Sequence, residues 1–249
     1  FDKIEIITRN KKKISSQVIN INKINSQNLL LRKKIKKDIK KITKKRNFFN
    51  SIHIMGILNM TPDSFSDGGK FNNAPKAFKK IKLMIKSGAT IIDVGGESTR
   101  PGSNTVLPNL EWTRIESVIK NFKKKYPNTI LSVDTRKSEI MRKSINYKAD
   151  IINDVSCFSF DSKSVIKIDK FNVWKVIHHM QGTPQTMQKN PKYKNVLLDI
   201  YDFFEDKIEN QFKNKKFSKK IILDPGIGFG KNLKHNLILM NKISLFHSL

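Results

Sequence analysis

The chain has a single cysteine, Cys157, in 249 residues, so no intramolecular disulfide can staple it, and a reducing compartment is the natural fit. Its five histidines do not supply a zinc centre in compensation: His178 and His179 are adjacent, whereas His53, His235 and His247 stand apart. No apolar run approaches the roughly 20 residues needed to cross a bilayer. The N-terminus, which opens on Phe1 rather than Met, has no hydrophobic stretch of the signal-peptide kind. These absences predict a soluble, cytoplasmic protein without a membrane partner. Acidic residues are scarce too, 21 against 49 Lys and Arg, giving a formal net charge of +28. Such a charge invites a phosphate-bearing partner. The excess is nearly all Lys, however, and it comes with abundant Ile and Asn, residue types that AT-rich coding raises together. Nor are the basic residues clustered with aromatics on one face, as a nucleic-acid surface requires, so no nucleic-acid partner is expected.

What is present falls into two parts. Residues 1–50 hold 16 Lys and Arg against 3 acidic residues, with no Gly and no Pro, and are expected to form a basic N-terminal extension or linker. Within it Leu31, Ile35, Ile39 and Ile42 recur at helical spacing, predicting a basic amphipathic helix over Leu29–Lys45 whose apolar stripe packs on a folded domain while its lysines stay in water. Residues 51–249 are expected to be that domain. Short β-branched runs at 52–58, 90–94, 129–133, 150–153, 173–178 and 220–223 read as six buried strands. Helical patterns separate several of them: Phe78, Ile81 and Ile85; Trp112, Ile115, Ile119 and Phe122; Leu197, Tyr201, Phe204, Ile208 and Phe212; and finally Leu239, Ile243 and Phe246. Alternation of strand and helix predicts an α/β protein with a parallel sheet, either doubly wound or most of a barrel.

The strand ends carry the chemistry. Asn59 opens a long polar loop through Gly68 and Gly69, and connections of that length after a strand are where such folds bind ligands. Asp93-Val94-Gly95-Gly96-Glu97-Ser98-Thr99-Arg100-Pro101-Gly102 follows the second strand, its paired glycines permitting close backbone approach and its Ser, Thr and Arg offering donors to an anion. The third strand ends in Asp134-Thr135-Arg136, the fourth in Asn153-Asp154, the fifth in His179-Met180-Gln181-Gly182 and the sixth in Asp224-Pro225-Gly226-Ile227-Gly228-Phe229-Gly230-Lys231. An Asp at one strand end is commonly the N-cap of the next helix. Polar residues at all six point instead to a common site. The final glycine-rich stretch has neither the Walker A spacing nor the dinucleotide fingerprint. No Ser/His/Asp arrangement for covalent catalysis is visible.

Taken in order, these strings resemble the dihydropteroate synthase family in its bacterial form, over about Ile52 to Phe246. The resemblance implies a (β/α)8 TIM barrel with its site at the carboxyl ends of the strands. It implies condensation of p-aminobenzoate with 6-hydroxymethyl-7,8-dihydropterin pyrophosphate, releasing pyrophosphate, by a dissociative route without a covalent intermediate. Asn59 then matches the ligand of a Mg2+ cofactor. Asp134, Asn153 and Asp224 match pterin-binding positions, Met180 an apolar wall, and Thr99 and Arg100 a mobile loop that meets pyrophosphate and p-aminobenzoate together with Phe65, Ser66 and Pro101. Asp93 and Phe229 complete the expected substrate-binding set, and Asn59, Thr99, Arg100, Asp134 and Asp224 the expected catalytic set.

The family continues with two more βα units bearing a Lys and an Arg-x-His, and these have no counterpart here. The expectation is therefore a C-terminally truncated barrel with about six of eight units, poorly soluble and inactive as it stands, and a homodimer when full length. Residues 1–50 match the place of a linker behind a fused pyrophosphokinase. A pterin-binding methyltransferase-type barrel is the nearest alternative, sharing the strand-end acids but not the loops around Thr61–Gly69 and Glu97–Gly102.

Overall fold

β-branched runs flanked by polar loops pair with one another in chain order. A computed structural model of the chain describes residues 1–10, 13–44, 51–61, 74–98, 105–183, 186–212 and 220–249. It has two compact units, one of Phe1–Asn50 with Ile243–Leu249 and the other of Ser51–Lys242.

In the larger unit, β3 (Met55–Asn59), β4 (Ile91–Gly95), β5 (Ile130–Asp134), β6 (Ile151–Asp154), β7 (Trp174–His178) and β8 (Ile221–Asp224) form one sheet in sequence order. All five pairings are parallel. A doubly wound sheet reverses its strand order at a switch point. Strict sequential order has no such point and is the arrangement of a barrel wall, here six of its strands.

Period-2 alternation assigns the two faces. Leu58, Ile92, Val94, Leu131, Val133, Ile152 and Ile177 are wholly buried on one face. The layer that covers it contains α2 (Ala74–Lys86), α3 (Pro108–Lys125), α4 (Ser138–Asn146), α5 (Ser164–Ile168), α6 (Val196–Asp206) and α7 (Leu233–Asn241). α3 shows why it docks there: Trp112, Ile115, Val118, Ile119 and Phe122 fall on one stripe and are buried, while Lys123, Lys124 and Lys125 end the helix where its dipole favours cations. Gly96 lets the end of β4 lie against α3, since a Cβ there would stand 2.8 Å from the Glu111 carbonyl oxygen. β3 and β8 are the outermost strands, and Ile57 on the opposite face of β3 is 60% exposed.

All six expected strands are present, shifted by one to three residues at their starts. The largest shift is at β3, where Ile52 and Ile54 are exposed rather than paired, and the Ile54 carbonyl instead accepts from the amides of Thr90 and Ile91. The pattern expected to run through Phe246 breaks after Asn241, and a 3-10 segment follows over Ile243–Ser248. α6 passes into a π-helical turn at Lys207–Phe212, which keeps Phe212 buried.

The smaller unit holds an element the sequence reading did not anticipate, an antiparallel pair of β1 (Lys3–Asn10) and β2 (Lys13–Asn20), in register from Lys3↔Asn20 to Asn10↔Lys13. The basic helix is α1 (Leu29–Ile42), capped by Asn28, whose Oδ1 accepts from the Leu31 amide at 2.9 Å. Its stripe is covered in part by its own segment, where Ile35 is buried with Ile19 and Ile24 and Ile4, Ile6, Leu31 and Ile39 pack around them, and α1 also packs against Ile243–Ser248. At the far end of α1, Lys41 Nζ donates to the Leu249 carbonyl at 3.2 Å.

Candidate active site

The strand register brings the expected residues to one end of the sheet. Asn59 pairs with Gly95, Gly95 with Asp134, Asp134 with Asn153, and His178 with Asp224. Asp93 lies two residues before Gly95 on the same face and is 4% exposed. The Asn153 amide donates to Asp93 Oδ2 at 3.1 Å. That leaves Asp93 Oδ1 and Asn153 Oδ1 buried without a hydrogen-bond partner among the described residues, and such orphans in a native interior call for an explanation. Burial pushes the Asp93 carboxyl above its usual range; Ser132 and Asn153 oppose the rise and the charge of Asp224 adds to it.

Asp134 stands further from ordinary behaviour. Its pKa is raised well above the usual carboxylate range by burial and then by the negative charges of Asp93, Asp154, Glu111 and Glu97. Its neighbour Asp154 is fully engaged: Oδ1 accepts from the amide and hydroxyl of Ser156, each at 2.7 Å, and Oδ2 from the Phe158 amide at 3.0 Å. Asp154 thus closes the turn after β6, with its carboxyl raised to about 6 by burial despite those donors.

Asp224 is held in the opposite direction. Burial would raise it, but the hydrogen bond and charge of His178, the Gly226 amide and Lys231 outweigh burial and lower it. His178 Nδ1 lies 3.1 Å from Oδ2, and the Gly226 N–H donates to Oδ1 at 2.8 Å. Gly226 adopts φ +66°, and a Cβ on it would fall 2.0 Å from the His179 carbonyl oxygen, so this turn requires glycine. Lys231, buried, donates to the carbonyls of Phe229 (2.8 Å) and His179 (3.3 Å) and lies 3.1 Å from His179 Nδ1. It ties the glycine-rich loop to the end of β7. Burial pushes Lys231 down to about 8, and burial with the charges of Lys231 and His178 takes His179 down to about 3, so His179 is neutral and accepts at Nδ1.

Beside these strand-end residues lies a buried charge network. Glu97 Oε1 accepts from the Val106 amide at 2.9 Å, and its Oε2 meets Arg136 at 3.0 Å and Lys137 at 3.1 Å. Lys137 also contacts Glu111, which is wholly buried in the first turn of α3. Glu97 is lowered, its burial outweighed by the Val106 amide and the two cations; Glu111 stays raised by burial in spite of Lys137.

Asn59, Asp93, Asp134, Asn153 and Asp224 are therefore at one end of one sheet, with Phe229 edge-on to His178 at 4.8 Å and Met180 half-buried directly after β7. Phe65, Ser66, Thr99, Arg100 and Pro101 lie outside the described residues. The Asn59 side chain makes no hydrogen bond with a described residue, which leaves its amide oxygen available to a hard cation; no group of three or more His, Cys, Asp or Glu gathers as a metal site among the described residues. Sequence reasoning missed His178, Lys137 and Glu111. For His178 a signal existed, since it shares strand parity with Val176 and so faces away from Ile177 and the helices. No helix among the described residues is long and apolar enough to cross a membrane.

The family model described as "Pterin binding enzyme" matches residues 55–249. A dihydropteroate synthase of Escherichia coli (strain K12) is 43% identical over 195 residues, which are 78% of this chain and 68% of that protein. Among solved structures, the Yersinia pestis dihydropteroate synthase with a sulfonamide drug complex superposes with a TM-score of 0.72 at 40% identity, over 78% of this chain and 70% of that one. The Xanthomonas albilineans dihydropteroate synthase with 4-aminobenzoic acid gives 0.69 at 33% identity, over 77% and 67% respectively.

Proposed function

The chain belongs to the dihydropteroate synthases among the pterin-binding enzymes, and we propose that its strand-end cup grips the pterin ring of 6-hydroxymethyl-7,8-dihydropterin pyrophosphate while p-aminobenzoate attacks the exocyclic methylene. The observation that carries this assignment is a set of acceptors short of donors: Asp93 Oδ1 and Asn153 Oδ1, buried without a hydrogen-bond partner among the described residues, beside the crowded carboxyl of Asp134. A pterin edge presents amino and ring N–H donors, the groups such acceptors lack. Asp224, kept ionised by its surroundings, supplies a further acceptor across the cup, with Met180 and Phe229 as apolar walls.

In the reaction the aniline nitrogen forms a C–N bond to the methylene, the C–O bond to pyrophosphate breaks with its electron pair leaving on pyrophosphate, and the aniline nitrogen loses a proton. The chain's contribution is to orient the ring and to neutralise the departing anion, and no side chain becomes covalently attached. Thr99 and Arg100, with Phe65, Ser66 and Pro101, are assigned to pyrophosphate and p-aminobenzoate from their motifs, Arg100 as guanidinium donor. Asn59 fits a Mg2+ site of the kind held by one protein oxygen together with substrate phosphates and water. When bound, that ion offsets charge on pyrophosphate. The family resemblance also supports a homodimer in the cytoplasm.

Calorimetric titration with the pterin pyrophosphate tests the pocket. A hydrogen bond to a charged group is worth about 1.5–3 kcal/mol and a neutral one about 0.5–1.5 kcal/mol, so Asp134→Ala is expected to weaken binding by at least about tenfold and Asn153→Ala by about threefold to tenfold. Binding unchanged in both variants, with circular dichroism intact, would refute the assignment.

A further inference from the structure

His178 is absorbed by none of the roles above, yet its ring is 4% exposed and points a nitrogen at a carboxylate proposed to hold substrate. Asp224 is ionised, and a carboxylate offers no hydrogen, so the 3.1 Å contact requires the proton on His178 Nδ1. With the Gly226 amide on Oδ1 at 2.8 Å, each Asp224 oxygen has one fixed donor, and two donors on two oxygens define the plane of the group. The ring itself has little freedom. Phe229 packs edge-on against one side at 4.8 Å and 82°, and Nε2 is buried without a hydrogen-bond partner among the described residues, so Nδ1 is the imidazole's polar tether.

We propose that His178 is a positioning residue for substrate, orienting the Asp224 carboxylate toward the pterin ring through its Nδ1–H. The proposal rests on the pterin assignment above. The other charged or titratable groups facing this pair are Lys231 from the glycine-rich loop after β8, His179 directly after β7, and Asp93 from β4. Lys231 favours the ionised carboxylate and Asp93 opposes it.

Two variants separate positioning from packing. His178→Leu removes the donor; His178→Asn carries an N–H on its γ-carbon, as histidine carries Nδ1, and preserves it. In the full chain, His178→Leu is expected to bind the pterin pyrophosphate about tenfold more weakly, and His178→Asn within about threefold of the parent. In a carbon-13 titration of the Asp224 carboxyl, the midpoint should rise in the Leu variant and stay near the parent's in the Asn variant. Equal affinity and equal titration in the Leu variant and the parent would overturn the proposal, as would Leu and Asn variants that behave alike. If the parent chain bound no pterin, the functional assignment would fall, and the carboxyl titration would still decide whether His178 holds Asp224.

Discussion

Replacing Lys137 by Met should destabilise the chain by about 3 kcal/mol. The Lys137 ammonium is shared by Glu97 and Glu111, and the three side chains are 6%, 3% and 0% exposed. Loss of one partner of a buried pair costs about 3–5 kcal/mol because a charge is left without compensation. Two features set the lower end. Glu97 keeps Arg136 at 3.0 Å, and Glu111, already raised by burial, can take a proton rather than remain an isolated anion. With a urea m-value of about 3 kcal/mol/M, the midpoint should fall by about 1 M. The loss should depend on pH with a definite sign. Glu97 is lowered in the folded chain, so its contribution is present above the usual carboxylate range and disappears as pH falls through its folded pKa. The gap between parent and variant should therefore be widest near pH 7 and narrow only as pH falls below the usual carboxylate range. Adding Glu111→Leu to Lys137→Met removes the orphaned acid and should restore most of the loss. A midpoint shift below about 0.3 M, or a double variant no more stable than the single, would refute the reasoning.

Two further outcomes are expected. Asp134 is raised in the folded chain, so the stability it allows is complete below the unfolded carboxylate pKa and is lost as pH rises through the higher folded value. Asp134→Asn should then melt above the parent at pH 8 and level with it near pH 4, while binding pterin more weakly; thermal scans across that range check it. Ile35→Ala, in the small core with Ile19 and Ile24, should cost about 2 kcal/mol, seen as amide exchange in β1 and β2 about 30-fold faster, and unchanged exchange there would show that the helix does not hold the strands.

Strands were legible because each is a short β-branched run ending in a polar residue, and the parallel order followed from their alternation with helices. β1 and β2 were not, for a physical reason. Ile19 is the single buried side chain of the two strands, with Ile4 and Ile6 half-buried beside it, and β2 is exposed at every position but Ile19. α4 escaped likewise, because its nine residues bury only Ser138, Ile140, Met141 and Ser144, too short a stripe to register as a period. The division between barrel and doubly wound sheet lies in strand neighbours, which periodicity does not encode and the pairings do.

At the site, residue type and strand end were enough to find the acids, but not what each acid does. Helix capping was the ordinary explanation for them, and it fails at every helix whose cap is described. The N-caps of α3, α4 and α5 are Leu107, Lys137 and Lys163, without a side-chain cap bond, and those of α6 and α7 are Asn195 and Asn232. Among the strand-end acids, Asp154 and Asp224 each accept from the backbone of the turn that follows, Asp154 from Ser156 and Phe158 and Asp224 from Gly226. Asp93, Asp134 and Asp224 remain in one cup, where Asp93 raises Asp134 and Asp224 raises Asp93. Such a gathering opposes folding, since like charges are brought out of water together. Local structure gains nothing from Asp134 that Asn would not supply with less repulsion. Under the proposed function, the N–H donors on the pterin edge offset this penalty, each lowering the cost of one crowded oxygen. On that proposal, the crowding that opposes folding also supplies the differential in favour of a donor-rich ring over one that offers acceptors.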